Sequence, residues 1–154
     1  MRGRTAAVPL AAMVLAAMVL AGCVLAGCAQ AVPEGAPGGD RRLVAAYFAA
    51  GNDAGRQGSA AMQQFLDETQ HPDFRGERCP LYGLTLEIDP AMTTLRPDPD
   101  WRPPGAQRPP RGAVYIIAVT VTVLADQVEL DTQIGSQHIV VLDGTAYGFA
   151  PCPA

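Results

Sequence analysis

From residue 113 to residue 125 every second position is apolar: Ala113, Tyr115, Ile117, Val119, Val121, Val123 and Ala125. The positions between start apolar with Val114, Ile116 and Ala118 and turn polar at Thr120 and Thr122. Period two with β-branched residues predicts a strand. One of its faces is buried throughout and the other is covered over the first half only. Val128, Leu130, Thr132 and Ile134 then alternate with Gln127, Glu129, Asp131 and Gln133. A two-residue turn at Asp126-Gln127 sets Val123 opposite Leu130, Val121 opposite Thr132 and Thr122 opposite Asp131. That register keeps apolar against apolar, and a one-residue slip mixes the faces. Gln is a poor turn residue, so the pattern rather than the turn sets this expectation. Gly135-Ser136 predicts a bulge or bend inside one long strand over 128–142. Asp143-Gly144 is a strong hairpin signal, because both turn positions need positive φ. It pairs Leu142 with Thr145, Val140 with Tyr147 and His138 with Phe149. Residues 113–150 thus read as a three-stranded antiparallel meander able to carry a core.

Upstream the period changes to that of a helix. Asp40 is the expected N-cap of a first helix, with Leu43, Ala46, Tyr47 and Ala50 on its inner face and Gly51-Asn52-Asp53 as its stop. Ser59 caps a second helix with Met62, Phe65 and Leu66 inward, ended by Pro72. Between 81 and 88 alternation returns, with Tyr82, Leu84, Leu86 and Ile88 inward and Thr85 and Glu87 outward. Asp89-Pro90 turns the chain, and 92–95 forms a short strand. Residues 97–112 hold six prolines with Trp101, Arg102, Arg108 and Arg111. Such a segment cannot pair inside a sheet. It reads either as an extended loop or as a preorganised docking arm, with Trp101, Arg102 and Arg108 as candidate partner contacts.

The N-terminus carries an address. Arg2 and Arg4 precede an apolar run from Ala6, interrupted only by Pro9. The run closes with Leu20-Ala21-Gly22-Cys23 and again with Leu25-Ala26-Gly27-Cys28. Both tetrads resemble the bacterial lipobox, whose Cys is thioether-linked to diacylglycerol before cleavage. Residues 1–28 are therefore expected to be a lipoprotein signal peptide, 29–39 a flexible tether and 40–154 one domain. An uncleaved membrane helix is the alternative, since the run is about long enough to span. Lipid attachment at Cys28 leaves Cys79 and Cys152 as an even pair; attachment at Cys23 gives the more ordinary leader length and leaves Cys28 as a spare thiol. In an oxidising compartment Cys79 and Cys152, flanking the sheet, are expected to form a disulfide. Its closure would contribute about 4 kcal/mol in the chain-entropy picture. The expected place is the extracytoplasmic face of a bacterial membrane, with the lipid bilayer as partner through the N-terminal diacylglyceryl Cys.

The formal net charge is −4, and all eleven basic residues are Arg. Losing the leader with Arg2 and Arg4 leaves nine Arg against fifteen acids. An acidic domain without basic clusters argues against nucleic acid as a partner. No His/Cys spacing suggests a metal, and no cofactor motif is present.

A helix pair, a strand, then a long meander ending in Asp-Gly and an aromatic strand resembles the nuclear transport factor 2-like superfamily. The residues that carry the likeness are Leu43-Val44-Ala45-Ala46-Tyr47-Phe48-Ala49-Ala50-Gly51-Asn52 and Val140-Val141-Leu142-Asp143-Gly144-Thr145-Ala146-Tyr147-Gly148-Phe149. The resemblance implies an α+β fold in which N-terminal helices pack on a curved antiparallel sheet as a cone. The chain is similar to exported, lipid-anchored members found in actinobacteria. It departs from the bare fold in its Pro-rich insertion, its terminal Cys pair and the lack of a third helix.

That superfamily holds ketosteroid isomerase, scytalone dehydratase and polyketide cyclases beside many non-catalytic binding modules, so fold alone does not decide activity. Its enzymes place an acid–base residue inside the cone, often Asp or His near a Tyr. Here the meander's apolar face carries Tyr115 but no carboxylate, and Asp131 falls on the opposite, solvated face with Glu129 and Gln133. His138, Val140, Leu142, Tyr147 and Phe149 share one face. If it lines the cone, His138 and Tyr147 are the candidate general base and hydrogen-bond donor; otherwise His138 is simply packed or edge-exposed. His71 ends a helix, where a cationic ring suits the dipole. Three functions stay open. One is a non-enzymatic envelope module binding an envelope protein or a small apolar ligand. The second is an enzyme or carrier using the cone as a pocket. The third is a structural accessory. An open cavity touching His138 favours the pocket; a cone filled by Tyr47, Phe65, Tyr115 and Phe149 excludes it.

Overall fold

A computed structural model describes residues 36–76 and 80–149. The leader, Cys23, Cys28 and the expected Cys79–Cys152 disulfide lie outside the described residues. Helices α1 (Gly38–Gln57) and α2 (Ser59–Glu68) precede strands β1 (Leu84–Pro90), β2 (Arg96–Pro97), β3 (Ala113–Ala125), β4 (Val128–Leu142) and β5 (Thr145–Tyr147). The antiparallel sheet runs β1-β3-β4-β5, with β2 following β1 along the same edge of β3. The fold is thus α+β, two helices against a strongly curled antiparallel sheet.

The meander and both two-residue turns are present as expected. Asp126-Gln127 and Asp143-Gly144 all take positive φ, the type I′ condition. The register between β3 and β4 corrects the sequence expectation. Ala125 pairs with Val128 and Leu124 with Glu129, but Val123 then pairs with Asp131. Leu130 is left without a partner in the ladder, so the irregularity sits there and not at Gly135, which pairs with Val119. One extra residue on one strand exchanges its faces beyond that point. Tyr115 consequently lies opposite Ile139 rather than His138, and Asp131 falls on the same side of the sheet as Val121 and Val123, exposed at its far end.

Counting out from that pairing, Tyr115, Ile117, Val119, Ile139 and Val141 face the helices and make the core with Val44, Phe48, Ile88 and Leu95. Val114 and Val140, paired with each other, point the opposite way and are also buried. Their cover is the Pro-rich segment, held by the Asp98 N–H donating to the Val114 carbonyl at 2.9 Å, with Pro103 and Pro110 buried. The segment runs as a loop laid over the sheet, with Arg102 and Arg108 exposed.

Helix α1 does not stop at Gly51-Asn52-Asp53 but runs to Gln57. Its buried stripe is Val44, Phe48, Gly51 and Gly55, one residue round from the expected one, and Ala46 and Ala50 are exposed. The larger Val and Phe take the inner positions, and the glycines let the helix approach its neighbours. A Cβ on Gly55 would lie 2.9 Å from the Leu86 carbonyl oxygen. Asn52 is a clamp: its Nδ2 donates to the Ile88 carbonyl at 2.9 Å and its Oδ1 accepts from the Ile88 N–H at 2.8 Å. The amide thus stands in for a neighbouring strand on the open edge of β1.

Other boundaries move for local reasons. The N-cap is Pro37; Asp40 lies in the first turn and accepts a hydrogen bond from the Tyr115 hydroxyl instead. Gly58 caps α2 and Ser59 is its first residue. Thr69 closes α2, and Pro72 starts a 3₁₀ turn. Tyr82 is exposed in a turn with Gly83, because β1 starts only at Leu84, and Thr85 is buried. Pro90 is still paired, with Val119, and residues 92–94 form a 3₁₀ turn rather than a strand.

Two substitutions test this packing. Asn52→Ala orphans both Ile88 backbone groups and is expected to cost about 2–3 kcal/mol in urea unfolding. Gly148→Ala would place a Cβ 2.1 Å from the Tyr47 hydroxyl, and an overpacking loss of about 1–3 kcal/mol is expected. Unchanged unfolding midpoints would contradict these contacts.

Candidate functional site

Strand β5 ends at Tyr147 because the chain turns away. The Gly148 N–H donates to the Thr69 carbonyl at 3.0 Å, and the Gly148 carbonyl accepts from the His71 N–H at 3.0 Å. Among the described residues β4 therefore has no strand neighbour on that side before Val140. A cavity of about 420 Å³ opens there, within the size range of small-molecule sites. Ser136, Gln137, His138 and Ile139 all line it. Side chains of consecutive strand residues alternate faces, so four in a row border one cavity only if it runs along the strand's edge. Tyr47, Phe48, Met62 and Phe65 of the helices form the apolar wall, and Trp101 and Phe149 also line the cavity. Of the four aromatics expected to fill the cone, Tyr47, Phe65 and Phe149 wall an open space, and Tyr115 sits in the core.

His138 is the ionisable group that β4 brings to this cavity. Its Nε2 lies 2.8 Å from Asp98 Oδ2. Trp101 stacks on its ring, centroids 4.0 Å apart and planes 11° from parallel. Phe149 meets Trp101 edge-on at 4.7 Å. The expected pairing of His138 with Phe149 is replaced: β4–β5 pairing ends at Val140–Tyr147, and the indole fills the place beside His138. Tyr147, expected as partner of His138, instead packs edge-on to His71 at 6.0 Å. Tyr147 is not among the residues that line the cavity His138 borders. Trp101 is engaged in the fold, whereas Arg102 and Arg108 are exposed.

His71 is fully buried rather than a charged helix terminus. Its Nδ1 accepts from the Asp73 N–H at 3.2 Å, so its Nε2 carries the proton toward the Arg111 carbonyl at 2.9 Å. The ring stacks on Phe149 at 5.8 Å, making His71 a pillar under the cavity's aromatic rim. Outside it, Arg111 grips Asp73 through Nε and Nη2 at 2.7–3.3 Å. The guanidinium holds the Asp73 carboxyl below its ordinary range.

Two tyrosine hydroxyls, one on the cavity wall and one in the core, are perturbed. Burial pushes Tyr47 up to about 12, a hydrogen bond with Thr69 pulling partly the other way. Burial, then the Asp40 carboxylate beside it, pushes Tyr115 up to about 12. Both therefore stay neutral hydroxyls, not phenolate bases, near neutrality.

Asp98 was invisible to pattern reasoning. It lies in an aperiodic Pro-rich stretch, and nothing local links it to a strand forty residues later. Among the described residues no group of three or more His, Cys, Asp and Glu side chains could hold a metal. No protein-family model matches the chain, and neither a curated protein nor a solved structure matches it significantly.

The tyrosines give a pH test. A raised folded value means the neutral hydroxyl is favoured by folding, so this stability is complete below about 10, the unfolded value, and is lost as pH rises toward about 12. Absorbance titration is expected to show two of the four tyrosines ionising near pH 12 with falling stability above pH 10. Four tyrosines titrating together near 10 would contradict their surroundings.

Proposed function

We propose that this domain binds a small, mostly apolar molecule in the cavity beside β4. We further propose that it does so as an exported, lipid-anchored module of the nuclear transport factor 2-like kind on the outer face of a bacterial membrane. The observation that carries the binding reading is the open, aromatic-walled cavity of about 420 Å³ where a filled cone was the alternative. The curled sheet over two helices supports the cone-like architecture. The basic start, apolar run and tandem lipobox-like tetrads support the anchor at Cys28, with Cys23 as the alternative. Among the described residues no helix is long and apolar enough to cross a membrane.

Binding suits the site better than catalysis by His138 with Tyr147, since Tyr147 does not line the cavity. Carriage or sensing of an apolar molecule near the bilayer is the role that joins pocket and anchor.

The full chain is expected to bind the apolar dye Nile red saturably, with a blue-shifted emission. Leu86→Phe, which adds volume at the cavity wall, is expected to weaken binding several-fold while leaving circular dichroism unchanged. Absence of saturable binding would overturn the pocket reading. Mass spectrometry of the mature N-terminus is expected to find a diacylglyceryl group on Cys28.

A further inference from the structure

Resting on the pocket reading, the geometry points to a hydroxyl-bearing ligand, an apolar alcohol or phenol that donates its O–H to His138 Nδ1. Three observations lead there. A carboxylate can only accept, so the 2.8 Å contact with Asp98 puts a ring proton on His138 Nε2. In the neutral ring Nδ1 is then an acceptor with no protein partner among the described residues. No buried side-chain nitrogen or oxygen among them lacks a hydrogen bond, so Nδ1 is not sealed off. His138 lines the cavity with its side chain 15% exposed.

Two other polar side chains on the wall are already committed within the protein. Asn52 spends its amide on the Ile88 backbone. Tyr47 is hydrogen-bonded to the Thr69 side chain. Trp101 covers one face of the His138 ring, and Phe149 buttresses the indole. Asp98 is the charged group in contact with the ring, and it fixes the tautomer from behind. A ligand group able only to accept would meet a lone pair; a donor would complete a chain from ligand O–H through the imidazole to the carboxylate. A site built to bond a hydroxyl discriminates against analogues that lack it.

A matched pair separates this inference from the reading beneath it. Isothermal calorimetry at pH 8 on the full chain would compare 4-butylphenol with 4-butylanisole, equal in apolar body and differing in the O–H. The phenol is expected to bind at least about tenfold more tightly. His138→Phe is expected to abolish that preference, the new ring still stacking on Trp101. If this variant fails to fold, Asp98→Asn serves in its place: with the carboxylate gone the tautomer is no longer fixed, and the phenol preference is expected to shrink. Equal affinity of phenol and anisole for the unaltered chain, or a preference that survives in the variant, would overturn the hydroxyl inference and leave the pocket standing. No binding of either would overturn both.

Discussion

Leu130 has no partner across the β3–β4 ladder, and every later side chain of β4 is placed by that fact. In an antiparallel pair a single extra residue costs one hydrogen-bonded position but exchanges the two faces of the strand. Ile139 and Val141 are thereby turned onto the helices, where they complete the core. Val140 and His138 are turned outward. An outward apolar Val140 needs cover, and the Pro-rich segment supplies it, bringing Asp98 and Trp101 onto His138 as it crosses. In the uninterrupted register His138 would lie against Tyr115, among core groups with no carboxylate positioned for it except Asp40.

The cavity follows from where pairing ends. A fourth strand continued past Tyr147 would cover residues 136–139 of β4. Instead Gly148 passes beneath the Tyr47 hydroxyl and bonds to Thr69 and His71. No residue with a side chain fits that crossing without displacing Tyr47. The helices approach the sheet closely at Gly55, and Asn52 satisfies the edge of β1. One edge of the sheet is thus answered by a side-chain amide, while the other borders open space.

Much of this was legible in the chain. The alternation at 113–125 and the Asp143-Gly144 turn gave the strands, because period two is a local property of buried pleated surface. The turn at Asp126-Gln127 was found despite a poor turn residue, since its neighbours had only one way to match faces. The bulge escaped because Leu130 is itself apolar and fits the alternating pattern whether paired or not; Gly135 drew the expectation that belonged five residues earlier. The helix stop at Gly51-Asn52 failed for a tertiary reason: both residues serve contacts with Phe65 and Ile88 that no local pattern encodes. Among the site residues His138 was found as a polar group among apolar neighbours. Asp98 was not, because its pairing depends on how an aperiodic segment is laid over the sheet.

The register is therefore the point on which the site stands, and nuclear magnetic resonance of the full chain reads it most directly. Cross-strand proton contacts are expected between Tyr115 and Ile139 and between Val121 and Gln133, together with contacts from the Trp101 indole to the His138 ring. Contacts of Tyr115 with His138 and of Val121 with Thr132, with the indole ring apart, would mean an unbulged strand. The His138–Asp98 site described here would then not exist.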